Sequence, residues 1–146
     1  MKRAILVALG TGAIITSAAA FSIGGADDPG TALDHGQYHA KVRAIQAARV
    51  ARVEGCEARA GLERDFCRIE ADGEQAVRLA DAESAYKRTQ QAARAAQRAR
   101  IEARYQIERA KCGALGGFKR DRCLVQVHAT KGRAMLDAAA PYEVRF

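Results

Sequence analysis

The chain has no tryptophan, only two prolines, four phenylalanines and two methionines among 146 residues. Without large aromatics it has little material for one thick globular core, because such residues dominate the area that a core buries. The scarcity of proline removes the strongest breaker of long helices. Serine is nearly as scarce, and only Ser22 and Ser84 lie beyond Ala20. No G-x-S-x-G, P-loop or dinucleotide fingerprint occurs, and no nucleophile–base pair stands out. The sequence therefore offers no catalytic residues and no cofactor site, and a non-enzymatic protein is expected.

What the chain has in quantity is alanine, its most frequent residue, and charge, with 24 Lys and Arg against 17 Asp and Glu for a net charge of +7. Ala, Arg, Gln and Glu are strong helix formers. Alanine seams bury little area but let helices approach closely. An all-α fold follows.

Residues 1–26 read as a secretory signal peptide. Lys2 and Arg3 form a positive start, Ala4 to Ile15 an apolar stretch, and Ala18-Ala19-Ala20 an A-x-A cleavage site, with a later cut near Ala26 as a variant. The uncharged run from Ala4 to Ala26 is also long enough to span a bilayer, so an uncleaved inner-membrane anchor is the rival reading. Both place Lys2 and Arg3 in the cytoplasm and export the body, residues 27–146.

That body carries a duplication. Cys56-Glu-Ala-Arg-Ala-Gly61-Leu-Glu-Arg64-Asp65-Phe-Cys67 returns as Cys112-Gly-Ala-Leu-Gly-Gly117-Phe-Lys-Arg120-Asp121-Arg-Cys123. Asp81 and Asp137, and Tyr86 and Tyr142, keep the separation of Cys56 and Cys112, so the units span about 49–86 and 105–142. In an exported chain, four cysteines at repeated spacing read as disulfides. Zinc modules prefer C-x₂₋₄-C pairs, and redox sites C-x-x-C, whereas both pairs here are C-x₁₀-C. Count alone allows three pairings. Cys56 with Cys67 and Cys112 with Cys123 is expected, because an intervening helix would hold the two loops apart.

The helical reading runs from about Thr31 to Arg59, then from Asp65 to about Lys111, then from Asp121 to Pro141. Asp28 before Pro29, or Thr31 with Asp34, would cap the first helix, and Asp65 and Asp121 the others. The middle span, about 70 Å long at 1.5 Å per residue, would be a spine shared by two antiparallel hairpins with stapled corners at its opposite ends. A break near Thr89-Gln90 is the variant.

Other candidate sites are few. His35 and His39 lie at i and i+4, but no Glu follows His35 as in a metalloprotease helix, and no metal site is expected. Between Ser84 and Ile101 stand Lys87, Arg88, Arg94, Arg98 and Arg100 with no acid. Lys87, Arg94 and Arg98 fall near one helical face, a stripe suited either to solvent or to an anionic surface such as lipopolysaccharide, phospholipid headgroups or an acidic protein. Export and the shortage of stacking aromatics argue against nucleic acid. Exposed alanine seams also suit a homo-oligomer.

The unit Cys-x₄-Gly-x₂-Arg/Lys-Asp-x-Cys, followed by a helix ending in Ala-Glu-Ser-Ala-Tyr86, resembles a group of small exported proteins of Gram-negative bacteria. Two Cys-loop units recur in that group, with a Tyr-x₅-Lys-Cys approach similar to Tyr105 to Cys112. Its members are loosely labelled cell-envelope or TolA-like. The likeness covers about residues 49–142, although this chain has Arg where the group favours Lys, and Leu62 or Phe118 after the loop glycine. It implies a periplasmic helical protein with an envelope-associated structural or interaction role, and it supplies no catalytic residues. A looser resemblance, in Asp81 to Tyr86 after Cys67, is to lysozyme-inhibitor-like periplasmic proteins, which implies a binder of a cell-wall enzyme.

Overall fold

A computed structural model describes residues 32–140. The signal segment, the Asp28-Pro29 cap, Thr31, Pro141 and Tyr142 lie outside the described residues. Four helices follow one another, α1 (His35–Cys56), α2 (Gly61–Lys87), α3 (Gln90–Gly113) and α4 (Gly117–Ala139), and no strand occurs among the described residues. The fold is all-α, as composition requires.

Helix starts differ in detail from the sequence reading. Asp34 caps α1, its carboxylate accepting from the Gln37 N–H at 2.8 Å while the Gln37 side chain accepts from the Asp34 N–H at 3.0 Å. This capping box satisfies two N-terminal donors reciprocally, and it starts the helix beyond Thr31. Asp65 and Asp121 are not caps. Helices α2 and α4 begin four residues earlier, at Gly61 and Gly117, with Ala60 and Gly116 at the cap positions and no side-chain cap. Gly61 (φ 54°) and Gly117 (φ 51°) adopt the left-handed conformation that reverses the chain there.

The main correction concerns the spine. It does not run straight, because α2 ends at Lys87 and α3 begins at Gln90. Arg88 takes the left-handed conformation (φ 52°), its N–H donating to the Ser84 carbonyl at 2.9 Å, and Thr89 caps α3 through an Oγ1 that accepts from the Ala92 N–H at 3.2 Å. The span folds in half as a third hairpin. Arg88 adopts this conformation without glycine's freedom. Arg88→Gly is therefore expected to raise stability by about 1 kcal/mol, read as a higher midpoint in thermal denaturation.

Neighbouring helices are antiparallel. Tyr38 meets Tyr86 and Arg49 meets Asp72; Asp81 meets Arg100 and Gly73 meets Ala103; Glu102 meets Lys131 and Tyr105 meets His128. Helix α1 packs on α2, α2 on α3 and α3 on α4; no other pair is in contact among the described residues. The result is an open layer of four helices rather than a closed bundle.

Folding the spine in half brings both disulfide corners to one end of the layer. Cys56 bonds to Cys67 and Cys112 to Cys123, each with Cα atoms 5.6 Å apart. The pairing is local, as expected, but distance between the loops is not the reason. Cys67 lies on the face of α2 that meets α1, and Cys112 on the face of α3 that meets α4. The α2–α3 seam separates them.

Packing is thin. Among the described residues, the buried ones are Ile45, Ala71, Ala82, Ala92, Ala96 and the half-cystines Cys56, Cys67 and Cys112. Small residues let α2 and α3 close on each other, to the point that a Cβ on Gly73 would stand 3.1 Å from that of Ala103. Ion pairs line the seams: Arg49–Asp72 at 2.6 Å and Arg52 with Glu70 and Glu74 between α1 and α2, Arg100–Asp81 at 2.5 Å between α2 and α3, and Lys131–Glu102 at 2.5 Å between α3 and α4. Most are half-exposed, where such a pair contributes about 0–1 kcal/mol.

Candidate functional site

The α2–α3 turn places the sequence-predicted cations in two groups. Lys87 closes α2 by pairing with Glu83 at 2.5 Å, and this hydrogen bond, reinforced by the Glu83 charge, holds its amine above the ordinary lysine value. Arg100 bridges to Asp81. Both are committed within the fold. Arg88, Arg94 and Arg98 are exposed and form no ion pair with another described residue. The expected stripe through Lys87, Arg94 and Arg98 on one helix is not formed, because the break at Arg88-Thr89 puts Lys87 on α2 and the two arginines on α3. What stands there instead is Arg88 in the turn, with Arg94 and Arg98 one helical turn apart within the first nine residues of α3, on the half of the layer away from the disulfides.

The same end carries an aromatic group. The Tyr38 and Tyr86 rings stack at 4.6 Å with 13° between planes, joining the start of α1 to the end of α2. The His35 and His39 rings lie 4.3 Å apart with Nε2 atoms at 3.1 Å, and His35 stands 6.3 Å from Tyr86 in an edge-on arrangement. The i,i+4 reading of the two histidines holds geometrically. Even so, no group of three or more His, Cys, Asp or Glu side chains suited to a metal occurs among the described residues. Tyr38 was not legible as a partner of Tyr86. Its signal was positional, since folding the chain at the first Cys loop sets the two tyrosines opposite each other.

A second polar group spans α3 and α4. Lys131 sits 4.1 Å above the Tyr105 ring, a cation–π arrangement, and its amine pairs with Glu102. Tyr105 Oη lies 3.4 Å from His128 Nδ1. The hydrogen bond from Lys131 holds the Glu102 carboxyl below its usual value, with Gln106 adding a second donor at 2.7 Å. These contacts close the second hairpin much as Arg49 and Arg52 close the first. Two concavities accompany the seams. One is a cleft of about 30 Å³ between Ile45, Arg49, Ala71 and Arg78, about the size of one water. The other is a shallow groove along Gly73, Val77, Ala103 and Ile107. The four predicted cysteines are all spent in disulfides.

Searches against protein-family models, curated proteins and solved structures find no match for this chain. Two disulfides fit an oxidising compartment. No helix among the described residues is long and apolar enough to cross a membrane.

Proposed function

We propose that this chain is a non-enzymatic, periplasmic, disulfide-stapled helical protein that works by surface contact at the cell envelope. Its contact point would be the turn end, where Arg88, Arg94 and Arg98 meet an anionic envelope component. The observation that carries this reading is the acid-free run between Ser84 and Ile101: Lys87 and Arg100 at its two ends are paired within the fold, while Arg88, Arg94 and Arg98 between them are exposed and pair with no described acid. A merely solvated helix would alternate its charges, as this one does further along at Arg100-Ile-Glu102-Ala-Arg104. The signal-like N-terminus, the disulfides and the resemblance to exported envelope proteins support the compartment.

Binding to vesicles containing anionic phospholipid or lipopolysaccharide tests this. Affinity is expected to fall steeply as salt rises, since surface charges are screened within about 10 Å at 0.1 M. With about 1 kcal/mol per basic residue near an anionic surface, Arg94→Glu with Arg98→Glu is expected to weaken binding at least tenfold. Unchanged binding by that variant rejects the site, and equal binding to neutral vesicles rejects the mechanism.

A further inference from the structure

We propose that this chain assembles head to tail, with α4 of one copy docking on α1 of the next by repeating the interface that α2 makes with α3. The duplication is what points to this. In the register that lays Cys56 on Cys112, α2 corresponds to α4 and α1 to α3. Within the chain, the first unit is joined to the second through α2 and α3. The face of α2 that does this runs at three- and four-residue steps through Gly73, with Phe66, Ile69, Val77 and Ala80, all half-buried.

The counterparts on α4 are Arg122, Val125, Ala129, Arg133 and Leu136, and all are exposed. Val125 is 69% exposed and Leu136 73% exposed, and Phe118 at the same edge is 80% exposed. The face of α3 that receives α2 contains Ala96, Arg100, Ala103 and Ile107. Its counterparts on α1 are Ala40, Ala44, Ala47 and Ala51, again all exposed. Each outer helix thus displays one half of an interface that the chain already builds once. Repeat arrays normally end in units with polar outer faces. This one ends in exposed Phe118, Val125, Ala129 and Leu136 on α4, with Arg122 and Arg133 standing where α2 has Phe66 and Val77, and in an alanine stripe at α1.

The register can be followed residue by residue. Transferring the Gly73–Ala103 contact sets Ala129 against Ala47 of the next copy, small residue on small residue, with the two helices a few tenths of an ångström further apart to admit the Cβ that Ala129 has and Gly73 lacks. The same register sets Arg122 opposite Glu54; it also sets Arg133 opposite Arg43, with Asp137, counterpart of the Asp81 that pairs with Arg100, one turn beyond Arg133 on α4 as the acid that can offset the two arginines. None of Arg122, Asp137, Arg43 and Glu54 forms an ion pair with another described residue. Such a contact is heterologous, using different patches on the two partners, so it continues into a ring or a filament and does not stop at two.

Sedimentation velocity on the disulfide-bonded protein, in the form its producing cell makes, tests this over a concentration series. Species larger than a dimer are expected to grow with concentration. Val125→Asp with Leu136→Asp blocks the α4 face, and Ala44→Asp with Ala47→Asp blocks the α1 face. Each variant alone is expected to be a monomer. Their equimolar mixture is expected to form a two-chain species that grows no further, because one variant offers only α1 and the other only α4. Wild-type protein that stays monomeric overturns the proposal, as does a mixture that fails to pair. Self-association of the Ala44→Asp, Ala47→Asp variant overturns it in favour of a symmetric α4–α4 contact. A short bismaleimide reagent gives a second measurement that needs no charged substitution. Ala47→Cys copies are expected to crosslink to Ala129→Cys copies, and an absence of that crosslink overturns the register.

Discussion

Replacing all four cysteines with alanine is expected to abolish the cooperative thermal transition and leave a largely unfolded chain at 37 °C. Each disulfide closes a loop between residues 11 apart, and a loop of that size contributes about 3 kcal/mol in the chain-entropy account. Together they supply about 6 kcal/mol, comparable to the whole net stability of a small domain. The rest of the molecule has little to offset the loss. Among the described residues, the buried apolar set apart from the half-cystines is one isoleucine and four alanines, and the ion pairs are largely exposed. Far-UV circular dichroism against temperature checks this. Removing one pair, Cys56→Ala with Cys67→Ala, should cost about 3 kcal/mol, lower the midpoint and leave Cys112–Cys123 intact. A four-alanine variant that melts like the native protein would show that the helical seams alone carry the fold.

Gly73→Leu is expected to separate α2 from α3 at mid-length and cost about 1–3 kcal/mol. The position tolerates no branch, because the first added carbon already lies 3.1 Å from the Ala103 Cβ and 3.6 Å from its Cα, which is backbone that cannot rotate aside. Among the described residues, the seam is the only junction between the two halves of the duplication. Forcing it apart should therefore lower the melting midpoint while both disulfides stay formed. Gly55→Leu serves as the control, since a Cβ there meets nothing within 4 Å; it should leave the midpoint near or above that of the native protein. Equal effects from the two substitutions would mean that α2 and α3 do not pack at this register.

Much of this architecture was legible in the residues. Alanine and arginine content pointed to helices, and the C-x₁₀-C spacing to stapled corners, because two cysteines flanking a glycine turn between helices fall opposite each other. The break in the spine was the least legible feature. Thr89 was its only mark, and a single β-branched residue in a polar stretch costs a helix only a few tenths of a kcal/mol. The break forms because α2 and α3 gain an alanine–glycine seam by folding back, a tertiary gain that local propensity does not record. That fold also moved Lys87 away from Arg94 and Arg98 and brought the two disulfides to one end. The capping assignments at Asp65 and Asp121 failed for a related reason. Gly61 and Gly117 make the chain reversal possible, and the helices begin at those glycines, ahead of any polar side chain. The exposed Val125, Ala129 and Leu136 on α4 became visible as one face only when the α2 face buried against α3 could be carried over from the first unit to the second.

The α2–α3 seam, and with it the four-helix layer, depends on the spine being folded in half, and the distance between Leu62 and Phe118 measures this directly. Both residues begin a stapled helix, and both are exposed, at 55% and 80%, so each can be replaced by a nitroxide-labelled residue with little disturbance. Pulsed electron–electron resonance on doubly labelled protein diluted with unlabelled chains gives the distance within one copy. Two helix spacings of about 8–10 Å each predict a distance of roughly 20 Å, broadened by the label arms. A distance of about 70 Å, the length of an unbroken helix between the two corners, would contradict the four-helix layer and restore the straight spine.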